Sequence, residues 1–308
     1  MVFNFSLNEF LFQALCDTIP SLTLMTTEPH FQYLESAYQL HFYLCLKTHY
    51  LRPLFAGPEL QAAIAGIVAE VSQRHGYHLL DSECSRDHLR LLLSLKPEHT
   101  VSRAVQILKG NVSRQYSLAY ADLLKLHHTK TPWAKGYFAR SSGKADLETV
   151  RHYVAQQATH HGYRGEWTSA LNYTNPRFRS PAFRFDHCVC ILNYQVVLVT
   201  KYRTPLFDER IAPNLFAYML TVGNKRRFAI DRMGLAPDHI HLVLEARPDV
   251  SIGSCVLSLV NNTQRWMEKH YWGVLKQTNC WDVWQPSFYA GTVGEYSTAQ
   301  IRQFLGAR

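Results

Sequence analysis

Two histidines flanking one apolar residue, His239-Ile240-His241, and a tyrosine one helical turn before a glutamine, Tyr153 and Gln157, carry the chemistry of this 308-residue chain. On a strand, residues i and i+2 project from one face, so the two imidazoles point the same way and can share a divalent cation. On a helix, residues i and i+4 are neighbours, so a phenol and a carboxamide oxygen are presented together. Phenols ionise near pH 10, and one that attacks phosphorus near neutrality needs a cation or a base beside it. Each pattern also has an ordinary reading. The chain holds 16 histidines, so surface or core pairs arise by chance, and a half-buried tyrosine beside a solvated glutamine is common on helices.

An internal repeat ties the two patterns together. At a constant spacing of 151 residues, Asp87-His88-Leu89-Arg90 aligns with Asp238-His239-Ile240-His241. The same spacing pairs Trp133 with Trp284, Gly143 with Gly294, Arg151 with Arg302, Tyr153 with Phe304 and Gln157 with Arg308. The first copy keeps the tyrosine and glutamine but has Arg90 in place of a histidine. The second keeps both histidines but has Phe304 in place of the tyrosine. Such complementary loss is expected of one site built from both copies.

Local signals predict the elements that hold these groups. Tyr38 to Lys47 alternates as a strand, and Pro58 to Arg74 has helical apolar spacing that Gly76 stops. Strands follow over Tyr77 to Cys84 and His88 to Leu95, a helix from about Thr100 to Tyr116, and a short strand near Tyr137 to Arg140. A last helix runs from about Asp146, a cap with Thr149 three residues on, to about His160. The second copy repeats this order from about His187. The expected class is therefore α+β, two tandem ferredoxin-like (split β-α-β) domains with antiparallel sheets. The division is an N-terminal extension over 1–33, a first domain over 34–161, a linker over 162–184 rich in Gly, Asn, Arg and Pro, and a second domain over 185–308. Met1 to Met25 reads as an amphipathic helix packed on the first domain.

Lys and Arg number 32 against 24 Asp and Glu, a net +8 that favours a polyanionic partner, most simply nucleic acid. No run of about 18 uncharged apolar residues is present, so no membrane span is expected. Seven cysteines without a CxxC fit reduced thiols in a cytoplasmic protein. No GxxxxGK[ST] phosphate-binding string appears.

The Asp238-His239-Ile240-His241-Leu242-Val243 string, the Lys201-Tyr202-Arg203 turn, the Gly136-Tyr137-Phe138 strand and the Tyr153-x-x-x-Gln157 helix resemble the TnpA-type single-tyrosine HUH transposases. Their relatives associated with repeated extragenic palindromes share the pattern. Here the resemblance covers both copies, as a tandem duplication. It implies a pseudo-twofold dimer within one chain, with His239, His241 and Gln157 as metal ligands and Tyr153 as the nucleophile. The product would be a 5′-phosphotyrosine and a free 3′-hydroxyl. Mixed nitrogen and oxygen ligation suits Mg²⁺ or Mn²⁺, with Zn²⁺ the lesser choice. The implied partner is single-stranded DNA with hairpin ends, and self-association of two chains remains open.

The mirror set, His88, Arg90, Phe304 and Arg308, has no hydroxyl nucleophile, and its arginines are expected to hold phosphate instead. Phosphate tracking is expected of Lys201, Arg203, Arg52, Arg90, Lys109, Arg114 and Arg265. Base stacking is expected of Tyr202, Trp266, Trp133 and Trp284. Two other functions fit less of the sequence. One is a DNA-hairpin-binding protein or repressor without cleavage. The other is a replication-initiation or relaxase-type nickase, whose usual helicase or primase domain 308 residues leave no room for.

Overall fold

The computed structural model describes residues 28–155, 171–176, 178, 183–185 and 187–306. Along them run β1 (Glu35–Gln39), β2 (His41–Lys47), α1 (Pro58–Arg74), β3 (His78–Ser85), β4 (His88–Ser94), α2 (Val101–Ala119), α3 (Ala121–Leu126), β5 (Phe138–Ser142) and α4 (Leu147–Ala155). Then come β6 (Asn172–Thr174), β7 (Phe183–Phe185), β8 (Cys188–Ile191), β9 (Asn193–Thr200), α5 (Ala212–Arg226), β10 (Phe228–Ala236), β11 (His239–Ala246), α6 (Ile252–His270), α7 (Trp272–Thr278), β12 (Trp284–Val293) and α8 (Thr298–Gly306). Thr100 caps α2 by accepting from the Arg103 amide, and Ser251 caps α6 by accepting from Ser254, both at 3.3 Å. The helix expected within Met1 to Met25 lies outside the described residues.

This is a mixed α+β molecule with two six-stranded sheets. One sheet contains the run β5-β2-β4-β3 and the other the run β12-β9-β11-β10, each antiparallel throughout. Register repeats as well as order. Tyr43 sits between Leu92 and Arg140, and its counterpart Gln195 between Val243 and Gly291. Even the bulge recurs, at Leu80 in β3 and at Asp231 in β10.

The repeats do not divide the chain sheet by sheet. The strand expected over Tyr38 to Lys47 breaks at Leu40. Its leading part, β1, pairs in parallel with β12 in the second copy's sheet. Reciprocally β8, which opens the second copy, pairs in parallel with β5 in the first copy's sheet. Of the stretch 162–184 expected as a linker, β6 pairs with β10, and β7, which ends at Phe185, pairs with β8. Each exchange covers an edge that would otherwise present unpaired amides and carbonyls. One cluster of buried side chains runs through both copies, from Leu44, Phe55 and Trp133 to Ile240, Leu259 and Trp284. All cysteines among the described residues are free.

The two copies meet where β5 and β12 end. Ser141 Oγ donates to the Val293 carbonyl and Thr292 Oγ1 to the Ser142 carbonyl, both at 2.6 Å. A Cβ added to Gly143 would sit 2.1 Å from the Thr292 oxygen, and one added to Gly294 2.2 Å from the Ser141 oxygen, so neither position admits a side chain. From this junction α4 and α8 start against the opposite copy. The Leu147 amide donates to Gly294 at 3.0 Å and the Thr298 amide to Gly143 at 2.9 Å.

Candidate active site

Strand alternation sets the histidine pair. Ile240 is fully buried in the core, while His239 and His241 lie on the other face with ring centroids 5.2 Å apart at 71°. Gly234 is the residue paired with His241 on β10. Asp238 holds His239 through a 2.6 Å contact between Oδ1 and Nδ1, and it accepts from Arg203 Nε at 2.8 Å. Burial pushes the Asp238 carboxyl up. The hydrogen bond and charge of His239, together with Arg203, outweigh that and hold it below the usual carboxylate range. A carboxylate on Nδ1 favours the tautomer protonated there, with the ring's lone pair on Nε2, the form a metal ligand needs.

Helix α4 brings the phenol from the other copy. Its first turn is capped by Asp146, which accepts from the Thr149 amide at 2.8 Å and the Thr149 hydroxyl at 2.9 Å. Val150 and Val154, one turn apart, bury against Val243 and Val293 of the second copy. Arg151 Nε reaches Asp231 Oδ2 at 2.6 Å and its Nη1 reaches Glu148 at 2.5 Å, while Arg232 Nη1 donates to the Arg151 carbonyl at 3.2 Å. Asp231 is 7% exposed, so this anchor is largely out of water. Held in this way, Tyr153 stands 37% exposed with its ring edge-on to His241, centroids 5.5 Å apart. Three of the four expected groups therefore converge within one chain. Gln157 lies outside the described residues.

Two imidazoles on one cation at about 2.1 Å place their centroids roughly 4.5–5.2 Å apart, so the observed spacing and the donor set fit a shared divalent ion. No cluster of three or more His, Cys, Asp or Glu with metal-binding geometry occurs among the described residues. A third ligand of that kind is not supplied there.

Glu245 is a buried group that spacing arguments missed. It is fully buried four residues beyond His241, and neither carboxyl oxygen meets a hydrogen-bond partner among the described residues. Burial and the neighbouring Asp231 charge push its pKa up to about 8, against a lowering by Arg151. Its counterpart in the first copy is Ser94, and comparing the repeats would have flagged it.

The mirror position is built differently. His88 keeps its carboxylate, with Nδ1 2.6 Å from Asp87. Arg90, expected to hold DNA phosphate, instead pairs at 2.8 Å with Glu83, the residue opposite it on β3. Glu83 is the counterpart of Gly234, so the sheet carries Glu–Arg where the other carries Gly–His. Helix α8 packs Ile301 and Leu305 on Leu92, as α4 packs Val150 and Val154 on Val243. The Phe304 side chain and Arg308 lie outside the described residues.

The other expected DNA contacts divide. Arg203 is 62% exposed at the side chain and Tyr202 80% exposed, and Arg114 is exposed. Lys201 lies 3.5 Å from Asp282, and Arg265 is half-buried. Arg52 hydrogen-bonds the His127 carbonyl and lies over the Tyr50 ring. Lys109 is not a surface cation. Its ammonium caps the carbonyls of Ala134 and Gly136 at 2.6 and 3.2 Å, and burial lowers its pKa. The three tryptophans expected to stack, Trp133, Trp266 and Trp284, are core, a correction to that role. Trp133 donates to the Lys109 carbonyl and Trp284 to Thr263, and Trp266 is 7% exposed against Tyr218. Apolar rings of that size bury unless function holds them out.

The family model described as "Transposase IS200 like" matches residues 36–157 and again 188–307. The transposase for insertion sequence element IS200 of Salmonella typhimurium (strain LT2) is 26% identical over 116 residues, 38% of this chain and 75% of that protein. The ISDra2 transposase TnpA of Deinococcus radiodurans is 27% identical over 114 residues, 37% of this chain and 81% of that protein. A solved structure of the REP-associated tyrosine transposase bound to a REP hairpin aligns over 45% of this chain and 76% of its own, at 10% identity. Its TM-score of 0.26 carries no weight. No described helix is long and apolar enough to cross a membrane.

Proposed function

The chain belongs to the IS200-like transposase family as a tandem duplication, and from that premise we propose that it cleaves and rejoins single-stranded DNA with one site composed from both copies. The observation that carries this is the Tyr153 ring 5.5 Å from His241, contributed by opposite repeats. Each central four-stranded sheet with its helices reads as a ferredoxin-like unit, and the two units as a pseudo-twofold dimer in one chain.

In this reading the Tyr153 oxygen attacks a backbone phosphorus. A Tyr–O–P bond forms, the P–O3′ bond breaks, the phenolic proton leaves to solvent and the departing 3′-oxygen gains one. A divalent cation, Mg²⁺ or Mn²⁺ before Zn²⁺, held by His239, His241 and Gln157, would polarise the phosphate and offset developing charge. Asp238 fixes the His239 ring, and Arg203 braces Asp238. The Arg151–Asp231 pair fixes the helix that aims the phenol. The phosphotyrosine conserves the energy of the broken bond, so a 3′-hydroxyl can reverse the step without ATP. The expected substrates are element ends with hairpins, and a second chain is one way to supply a second cut.

Purified protein with Mg²⁺ or Mn²⁺ should form an adduct with hairpin-bearing single-stranded DNA that survives denaturing electrophoresis. Tyr153→Phe should abolish it and Tyr296→Phe should not. An adduct that persists in Tyr153→Phe overturns the assignment, and tight metal-independent binding without any adduct makes the protein a hairpin binder.

A further inference from the structure

The turns that follow β2 and β9 are built alike and are strained alike. Thr48 and Thr200 are fully buried. Thr48 Oγ1 donates to the carbonyls of Arg52 and Asp87 at 2.7 and 2.9 Å, and Thr200 Oγ1 to those of Thr204 and Asp238 at 2.8 and 2.9 Å. Backbone bonds from His49 to Pro132 and from Lys201 to Val283 complete the brace. Each turn then places two successive non-glycine residues in the left-handed region. They are Tyr50 and Leu51 at φ 53° and 54°, and Tyr202 and Arg203 at 55° each. That conformation disfavours any side chain with a Cβ and persists only where the surroundings enforce it.

What the strain achieves is exposure. Tyr50 is 78% and Tyr202 80% exposed, although every tryptophan expected to stack is buried. A cation lies beside each ring: the Arg52 guanidinium 5.6 Å over Tyr50, and the Lys201 ammonium 5.3 Å over Tyr202. Between the braces, the three-residue segments His49–Leu51 and Lys201–Arg203 share only the tyrosine. Exposure alone does not repeat in this way. Trp272 is 52% exposed, and its counterpart is Ala121. Glycine or asparagine would occupy these positions with less strain, so fold requirements do not account for a tyrosine in both.

We infer that Tyr50 and Tyr202 are a matched pair of stacking platforms for unpaired nucleobases, each with a cation beside it for the adjoining phosphate. Tyr202 borders the proposed site, because its turn is tied through Thr200 and Arg203 to Asp238, which holds His239. Its base lies next to the phosphate that is cut. Tyr50 borders His88 through Thr48 and Asp87. The mirror half thus keeps a grip on a second stretch of strand after losing the chemistry. This deepens the proposed function by assigning the strand's unpaired bases to two named rings.

The test uses full-length Tyr153→Phe protein in EDTA, so that covalent chemistry cannot enter, with a labelled oligothymidylate followed by anisotropy. Tyr50→Ala and Tyr202→Ala should each weaken binding roughly ten-fold. Phe at either position should restore it. An all-abasic oligonucleotide of the same length should bind parent and Ala variants equally. Tyr50→Gly and Tyr202→Gly should lose binding while melting higher than the parent, since glycine relieves the backbone strain. Ala variants that bind like the parent, or that lose as much on the abasic strand, overturn the inference. An absent adduct in the preceding experiment leaves this one readable, because no step of it requires cleavage.

Discussion

Strands β4 and β11 occupy the same place in the matching four-stranded sets β5-β2-β4-β3 and β12-β9-β11-β10, yet one carries His88 and Arg90 and the other His239 and His241. Both keep the carboxylate on the first imidazole, Asp87 and Asp238, at 2.6 Å. They part at the next inward position and at the residue facing it. Gly234 opposite His241 places no side chain beside the imidazole pair, whereas Glu83 opposite Arg90 holds it in an ion pair. The helices differ in the same sense. α4 is tied to the opposite sheet by Arg151 and Asp231, while at the matching bulge α8 meets Leu80. The two halves therefore share a scaffold and differ in the groups that could do chemistry. Packing positions such as Val150 and Ile301 remain interchangeable in kind, because both copies still bury the same faces.

The largest effect that would break this contrast concerns the anchors. Arg151→Ala leaves a largely buried Asp231 without its cation and frees the helix that aims Tyr153. Single-turnover adduct formation at saturating DNA should fall about 10- to 100-fold, with Arg151→Lys recovering part of the rate. Arg302→Ala at the matching position of α8 should leave that rate within about two-fold; equal losses in both variants would mean that the helices are anchored alike.

A smaller effect concerns the mirror ion pair. Arg90→His alone takes the guanidinium away from the half-buried Glu83 carboxylate and should cost about 1–3 kcal/mol in chemical denaturation. Adding Glu83→Gly recreates the Gly–His arrangement and should recover most of that loss. A double variant no more stable than the single one would remove the ion pair as the reason for the divergence.

The smallest effect lies in pH dependence. Glu245, with its pKa raised from 4.5 to about 8, is protonated in the folded protein over a range where the unfolded chain is ionised. The folded state then binds the additional proton, so its contribution to stability is full below about pH 4.5 and declines as pH rises through 8. Glu245→Gln should flatten the fall in melting temperature between pH 5 and 9. The first copy, with Ser94 in that place, adds no matching slope, so a variant that melts with the parent's pH profile would disprove this assignment.

Local signals in the sequence were enough for much of the fold. Pro58 to Arg74 is a helix over the expected bounds, the helix expected from about Thr100 starts at Val101, and the cap at Asp146 forms as its residue type predicts. A two-residue period put Ile240 in the core and the histidines on one face, because alternation is a property of the extended backbone itself. The spacing of 151 residues exposed the duplication and the complementary losses in it. Several expectations failed where nonlocal geometry decides. Trp133, Trp266 and Trp284 went to the core and Lys109 to carbonyl capping, while Tyr202, of the residues expected to stack, stands exposed in a strained turn.

The sequence by itself determined that two copies of one α+β plan exist, which elements each contains, and which copy retains which reactive group. Each of those is written in residue type and short-range period. Only the tertiary structure decided that β1 and β8 change sheets, that α4 crosses to the opposite copy, and that the phenol of Tyr153 stands beside His241 in the same chain. Those outcomes depend on edges and apolar faces finding cover from residues far away along the chain, and no local pattern records which cover will be found.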